Sequence, residues 1–235
     1  MPPLKKMPLI EITSAELAPF GQQWQANGEK LSRTPPYSSS NLGQLFDKKV
    51  GEALAELLGD IPVISPNKNA LIPAQPDCVE VGECRIVGGV RPQNFDVGYR
   101  PDGVRFAFDS KTLNDSKSVQ KNYQNMINDL STEATTVHTR FPYAVVAFLV
   151  VIPAPCLISP QQEALTETLL RLTSRSSPLD SAHKAEAISL VLWDPYTGEV
   201  DRTHPGPQSV LHIESFSSQI QHAYVDRYRG LPPHV

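Results

Sequence analysis

Apolar residues along the chain fall into segments of two different periods. Between Asn41 and Gly59 they recur as Leu42, Leu45, Phe46, Val50, Ala53, Leu54, Leu57 and Leu58. This i, i+3, i+4 spacing predicts an amphipathic helix that Gly59 stops. A shorter helix is expected over about Ser14 to Ala26, followed by a polar, proline-containing stretch at residues 33–39. Residues 1–39 therefore read as an N-terminal arm and residues 40–235 as a single domain. Four prolines between Ile61 and Asp77 predict an irregular connection there.

From Val79 to Thr112 the period shortens to two. Val79, Val81 and the run Cys84 to Val87 read as one strand, and FDVGYR and VRFAFDSKT as two more, separated by Pro101-Asp102-Gly103. Asp-Gly between alternating apolar residues is a strong hairpin signal, so three consecutive antiparallel strands are expected. Taking Asp102-Gly103 as a two-residue loop pairs Tyr99 with Phe106 and Val97 with Phe108. The other face then brings Gly98 to Ala107 and Asp96 to Asp109. A three-residue loop would mix polar and apolar residues on both faces, so the first register is preferred.

A helix follows from about Asp115 to Leu130, with Val119, Tyr123, Met126, Ile127 and Leu130 on one face. The unbroken apolar run from Tyr143 to Ile152 predicts a strand buried on both sides. Ser159-Pro160-Gln161-Gln162 starts a helix with Ser159 as its cap, running to about Arg175. A short helix near Ser181 to Ala187, a strand from Ile188 to Trp193 and a last helix from Glu214 to Arg229 complete the order. The fold class is α/β, with a central mixed β-sheet of about five strands sandwiched by helices.

In 235 residues the longest apolar run has nine, Ala144 to Ile152, whereas a membrane helix needs about 20. The N-terminus lacks the features of a secretory signal. A cytoplasmic protein with no membrane partner is the expectation. Cys78, Cys84 and Cys156 carry no metal-ligand spacing and are expected to be reduced core residues. A net charge of −4 argues against coating nucleic acid by bulk charge. The segment from Cys84 to Lys121, however, holds seven basic residues (Arg85, Arg91, Arg100, Arg105, Lys111, Lys117, Lys121) against four acidic ones. It could face a polyanion.

The preferred register sets two carboxylates, Asp96 and Asp109, directly opposite each other. Like charges on opposed strand positions are destabilising, by roughly 4 kcal/mol for two unit charges about 4 Å apart at an effective dielectric near 20. A cation reverses that sign. Lys111 projects to the same face as Asp109, because strand side chains repeat with period two. Two carboxylates, completed by water and a substrate phosphate, suit Mg²⁺. The histidines form no metal-ligand spacing, and no P-loop or nucleophile elbow is present.

FD(x12)DSK, with Asp96, Asp109 and Lys111, resembles the PD-(D/E)XK nuclease superfamily, to which most type II restriction endonucleases belong. The resemblance spans roughly Asn41 to Ile152 and departs from the pattern at Phe95, which replaces the motif proline, and in Asp109, where Glu is commoner. It implies a restriction-endonuclease-like core that hydrolyses phosphodiesters of double-stranded DNA with Mg²⁺. Asp96, Asp109 and the Ser110 carbonyl would hold the metal, and Lys111 would position or polarise the attacking water. Members often add an acid from the first core helix; LGQLFDKKV points to Asp47. Lys117, Gln120, Lys121 and Gln124 on the following helix would serve DNA contacts. Cutting both strands of a palindromic site is most simply done by a homodimer. Other nuclease roles on the same core (repair, recombination, RNA cleavage), or a non-catalytic DNA-binding module, stand as alternatives.

Overall fold

The computed structural model describes residues 3–234, with Gln120 by its backbone alone. It is an α/β structure with a six-stranded mixed sheet, one strand more than the pattern suggested. The order along the chain is α1 (Ser14–Ala26), α2 (Ser39–Leu57), β1 (Val63–Ile64), β2 (Val79–Val87), β3 (Pro92–Tyr99), β4 (Phe106–Thr112), α3 (Val119–His138), β5 (Val145–Pro153), α4 (Ser159–Leu172), β6 (Ala187–Trp193) and α5 (Ile213–Tyr228). Spatial order follows sequence order. The strands β2, β3 and β4 form an antiparallel meander, while β4, β5 and β6 are parallel and joined by the crossover helices α3 and α4. The extra strand is β1. Its two residues lie in the proline-rich connection and pair parallel to β2, too briefly to leave a period.

Local chemistry sets the helix boundaries. Thr13 and Glu16 cap α1 reciprocally, each accepting from the other's backbone N–H. The Ser38 hydroxyl accepts from Asn41 N–H at the start of α2, and Gly59, at φ +90°, turns the chain out of it. Three expectations need correction. Helix α4 begins one residue earlier relative to its signals, with Ile158 as cap residue and Gln161 Oε1 accepting from Ile158 N–H. No helix forms over residues 181–187, a turn-containing connection in which Ala185 and Glu186 are already buried. The loop between β3 and β4 is wider than two residues, because the ladder closes at Tyr99–Phe106 and Asp102 turns its carboxylate onto Arg105.

The described part of the N-terminal segment, residues 3–39, contributes side chains to the core. Met7, Ile10, Leu17, Phe20 and Trp24 are buried in the same core as the sheet. Lys5 N–H donates to Leu57 O (2.8 Å) and Trp24 Nε1 to Asn114 O (2.8 Å). Every residue of β5 and β6 is buried. Strand β5 has helices on both faces, with α3 and α5 packed against it. Strand β6 lies at the sheet edge, where residues 200–211 cover it: Trp193 bridges Val200, and Leu190 N–H donates to Leu211 O (3.0 Å). No helix among the described residues is long and apolar enough to cross a membrane. All three cysteines are free and buried.

At the N-terminal end of the parallel strands, the buried Glu186 carboxylate joins four segments. Arg175 Nη1 donates to its Oε1 at 2.8 Å, Arg227 Nη1 forms an ion pair with the same oxygen at 2.8 Å, Val146 N–H donates to Oε2 at 2.7 Å, and His138 Nε2 lies 3.2 Å from Oε2. Burial works to raise the Glu186 pKa, yet these donors win and hold it below its ordinary value of 4.5. Its stabilising contribution is therefore fully present above that value and is lost as the pH falls through the lower, folded-state value. Glu186→Gln leaves two guanidinium groups without their shared counter-charge and is expected to cost about 3–5 kcal/mol. Urea unfolding near neutral pH checks this, and the deficit should narrow in acid.

Candidate active site

The hairpin register brings the sequence-derived residues together. Strands β3 and β4 pair as Tyr99–Phe106, Gly98–Ala107 and Val97–Phe108. Asp96 and Asp109 occupy the next position of that register, just past the last pair. On its other side Asp96 faces an irregularity. The β2–β3 register shifts between Val81–Val97 and Cys84–Phe95, so Gly82 and Glu83 both lie opposite Asp96. Gly82 takes φ +130° there, a conformation that favours glycine. Asp96 thus sits where pairing lapses on both flanks, and its carboxylate swings onto β4. It accepts from Ser110 N–H (3.1 Å) and the Ser110 hydroxyl (3.4 Å). A strand residue presents N–H and C=O to the same side. The Ser110 carbonyl therefore faces the gap that Asp96 closes.

Helix α2 supplies the third acid. Asp47 is buried (6% exposed), whereas Glu52 and Glu56 on the same helix are exposed. Its burial follows from Gly43, one turn earlier: a side chain at that position would stand 3.0 Å from the Ser110 hydroxyl, so the glycine lets α2 lie close on β4. Asp47 lies near enough to Asp96 for each charge to be felt by the other. The Oδ1 atom of Asp47 is buried without a hydrogen-bond partner among the described residues.

Lys111 extends from β4 toward α3. Its ammonium donates to Asp109 and, at 2.7 Å, to Glu133 Oε1. Glu133, 5% exposed, is a site residue that the sequence pattern did not reveal. Helix α3 starts at Val119 and runs on to His138, eight residues beyond the expected end at Leu130. The segment STEATTVH is rich in poor helix formers, yet Ala134 and Val137 bury against the sheet and carry the helix through Glu133. An acid three residues after the apolar stripe's last member, Leu130, was the available signal.

Four carboxylates and one ammonium therefore form one largely desolvated cluster. Burial first, and then the neighbouring carboxylates, push Asp47 and Asp96 well above the ordinary range. Burial also raises Asp109 to about 6, against the pull of its partners. Glu133 is raised by burial as well. For Lys111 burial acts downward, but Asp109 and Glu133 prevail and hold the ammonium protonated. The donor set suits a hard divalent cation: oxygen ligands, excess negative charge and an unpartnered buried carboxylate oxygen. Among the described residues no three acidic, histidine or cysteine side chains already stand as a ready ligand shell. Asp96, Asp109 and the Ser110 carbonyl are the groups that would hold a Mg²⁺ ion.

The remaining candidates are spread along the entrance to α3. Lys117, Lys121 and Gln124 are exposed on or just before its first turns, and the Gln120 side chain lies outside the described residues. The basic segment is less available to a polyanion than its composition implied. Arg100 is buried in a bidentate pair with Glu80, Arg105 is paired with Asp102, and Lys111 is held inside the site. Compared with protein-family models, with curated proteins and with solved structures, the chain finds no match.

The electrostatic cost of this cluster is measurable. For Asp96 the folded-state pKa lies above the unfolded one, so its contribution to stability is fully present below the ordinary value of 3.8 and is lost as the pH rises through the folded value. At pH 8 without divalent cations, Asp96→Asn and Asp47→Asn are each expected to raise unfolding stability by about 1–3 kcal/mol, with the gain shrinking toward pH 5. Urea unfolding at the two pH values decides it. A loss of stability at pH 8 would show that the carboxylates are not under mutual strain.

Proposed function

We propose that the chain is a Mg²⁺-dependent endonuclease of PD-(D/E)XK type that hydrolyses phosphodiester bonds of double-stranded DNA, in the manner of a type II restriction endonuclease. The observation that carries the reading is the convergence of Asp47, Asp96, Asp109 and Lys111 from three different elements on the open end of one hairpin pair. A surface hairpin with incidental charges would have no reason to collect a buried acid, Asp47, from α2 as well. All the chemical groups of the motif are present, which favours an enzyme over a non-catalytic binding module.

When bound, Mg²⁺ would supply Lewis-acid stabilisation of the charge that develops on the phosphoryl oxygens and the leaving group. Everything else falls to the chain's own groups. Lys111 Nζ, fixed between Asp109 and Glu133, can donate to a water beside the scissile phosphate and hold it in line. Asp96 is oriented by Ser110 N–H and lies beside Asp109, so the two carboxyl groups stand together as ligands. Asp47 adds negative charge behind Asp96 and strengthens the site's preference for a cation. Lys117, Lys121 and Gln124 offer phosphate and base-edge contacts at the mouth. Two copies related by the two-fold axis of a palindromic site would cut both strands.

Incubation with phage DNA and Mg²⁺ tests the reading. Discrete fragments are expected, with none in EDTA. Asp96→Asn, Asp109→Asn and Lys111→Met should each lower the rate by about 10²–10⁴-fold while leaving DNA binding largely intact. A smear would indicate another nuclease role, and intact DNA the binding module. Asp109→Asn cutting at the full rate would sink the assignment.

Assembly is tested separately. Sedimentation with an uncleaved duplex in Ca²⁺ should give a two-to-one complex whose affinity falls steeply with salt, since phosphate contacts release counterions. A monomer that makes double-strand breaks in a single encounter would show the dimer to be wrong.

A further inference from the structure

A second concentration of charge, of opposite sign, lies away from the acid cluster. Arg105 precedes β4 and Asp109 follows four residues later, a separation of roughly 13 Å along an extended strand. Around Arg105 the loop before β4, residues 140–144 before β5 and the end of α5 line an open, solvent-facing cavity of about 410 Å³. Three arginines, Arg105, Arg140 and Arg227, line it, against a single carboxylate, Asp102. The rest of the lining is largely apolar, including Phe141, Tyr228 and Leu231.

The charges here are not balanced. Asp102 is engaged by Arg105 through both Nε and Nη2. Behind Arg227, Glu186 is shared with Arg175 and His138. The side chains of Arg105 and Arg227 are each only 5% exposed. Yet Arg105 Nη1 and Arg227 Nη2 are buried with no hydrogen-bond partner among the described residues. Buried guanidinium groups are rarely left with idle donors, because each such donor forfeits its hydration without replacement. Arg140 is exposed at the rim, with one nitrogen on Val87 O (2.9 Å) and its guanidinium over the Phe141 ring.

We infer that this cavity binds a small phosphate-bearing organic anion of nucleoside-monophosphate size, with the phosphate toward the three arginines and the apolar body against Phe141, Tyr228 and Leu231. Guanidinium groups match phosphate through paired N–H donors, and the volume falls in the range of small-ligand sites. An apolar lining with a charged end selects an amphiphilic ligand over a bare ion. The site is separate from the proposed nuclease centre and does not depend on it.

Isothermal titration in EDTA, with deoxyadenosine 5′-monophosphate as the probe and deoxyadenosine and inorganic phosphate as controls, tests the inference. The monophosphate is expected to bind, the nucleoside not to bind detectably, and inorganic phosphate to bind at least 10-fold more weakly than the monophosphate. Arg140→Gln, chosen because Arg140 is exposed and spares the Glu186 cluster, should weaken binding by at least 10-fold without lowering the urea midpoint. Arg140 should also be shielded from phenylglyoxal by the monophosphate, as read by mass spectrometry. No binding by the monophosphate up to about 10 mM, equal binding by the nucleoside, equal or tighter binding by inorganic phosphate, or affinity and shielding unchanged at Arg140 would each overturn it.

Discussion

A single ammonium group, Lys111 Nζ, lies among four carboxylates, of which Asp47, Asp109 and Glu133 are buried and Asp96 is partly so. The rest of the site is arranged around that imbalance. Asp109 and Glu133 take the lysine between them, which leaves Asp96 and Asp47 to be held by Ser110 and by burial alone. Desolvation makes every uncompensated charge expensive, and a well-packed α/β core offers no general reason to bear that expense at the end of a hairpin. The imbalance falls on Asp47 and Asp96, whose carboxyls are pushed well above the ordinary range by burial and by neighbouring carboxylates.

The backbone that presents these groups is built from interruptions. Strand β3 pairs regularly up to Val97. There its ladder with β4 ends, and its ladder with β2 is broken by the Gly82–Glu83 irregularity. Asp96 can reach across to Ser110 only because neither neighbour claims its position. The far end of the β2–β3 hairpin lies against α3, where Gly89 N–H donates to Thr136 O (2.8 Å).

Much of this was legible in the sequence because it depends on short-range pattern. Alternation and the Asp-Gly signal fixed the pairing of Val97 with Phe108, and with it the meeting of Asp96 and Asp109, although the turn itself is wider than a two-residue loop. Asp47 is singled out by the resemblance of LGQLFDKKV to the family pattern rather than by helical spacing. What escaped the sequence depends on tertiary packing. The threonine-rich end of α3 is a poor helix by propensity and is helical because Ala134 and Val137 are buried, so Glu133 could not be placed. Strand β1 is too short to leave a period, and Met7 and Trp24 join the core from a segment whose composition reads as peripheral. The pairing of Arg100 with Glu80 was equally hidden, which is why local charge overstated the basic surface.

The covering of β6 has a consequence for how copies of this chain can meet. Residues 200–211 occupy the hydrogen-bonding positions along that edge, and the opposite edge is the two-residue β1. At the other border β1 pairs only with Val79 and Glu80, so most of β2 carries no strand partner on that side among the described residues. The sheet is therefore closed to extension at β6, and any strand added by another chain would have to enter alongside β2.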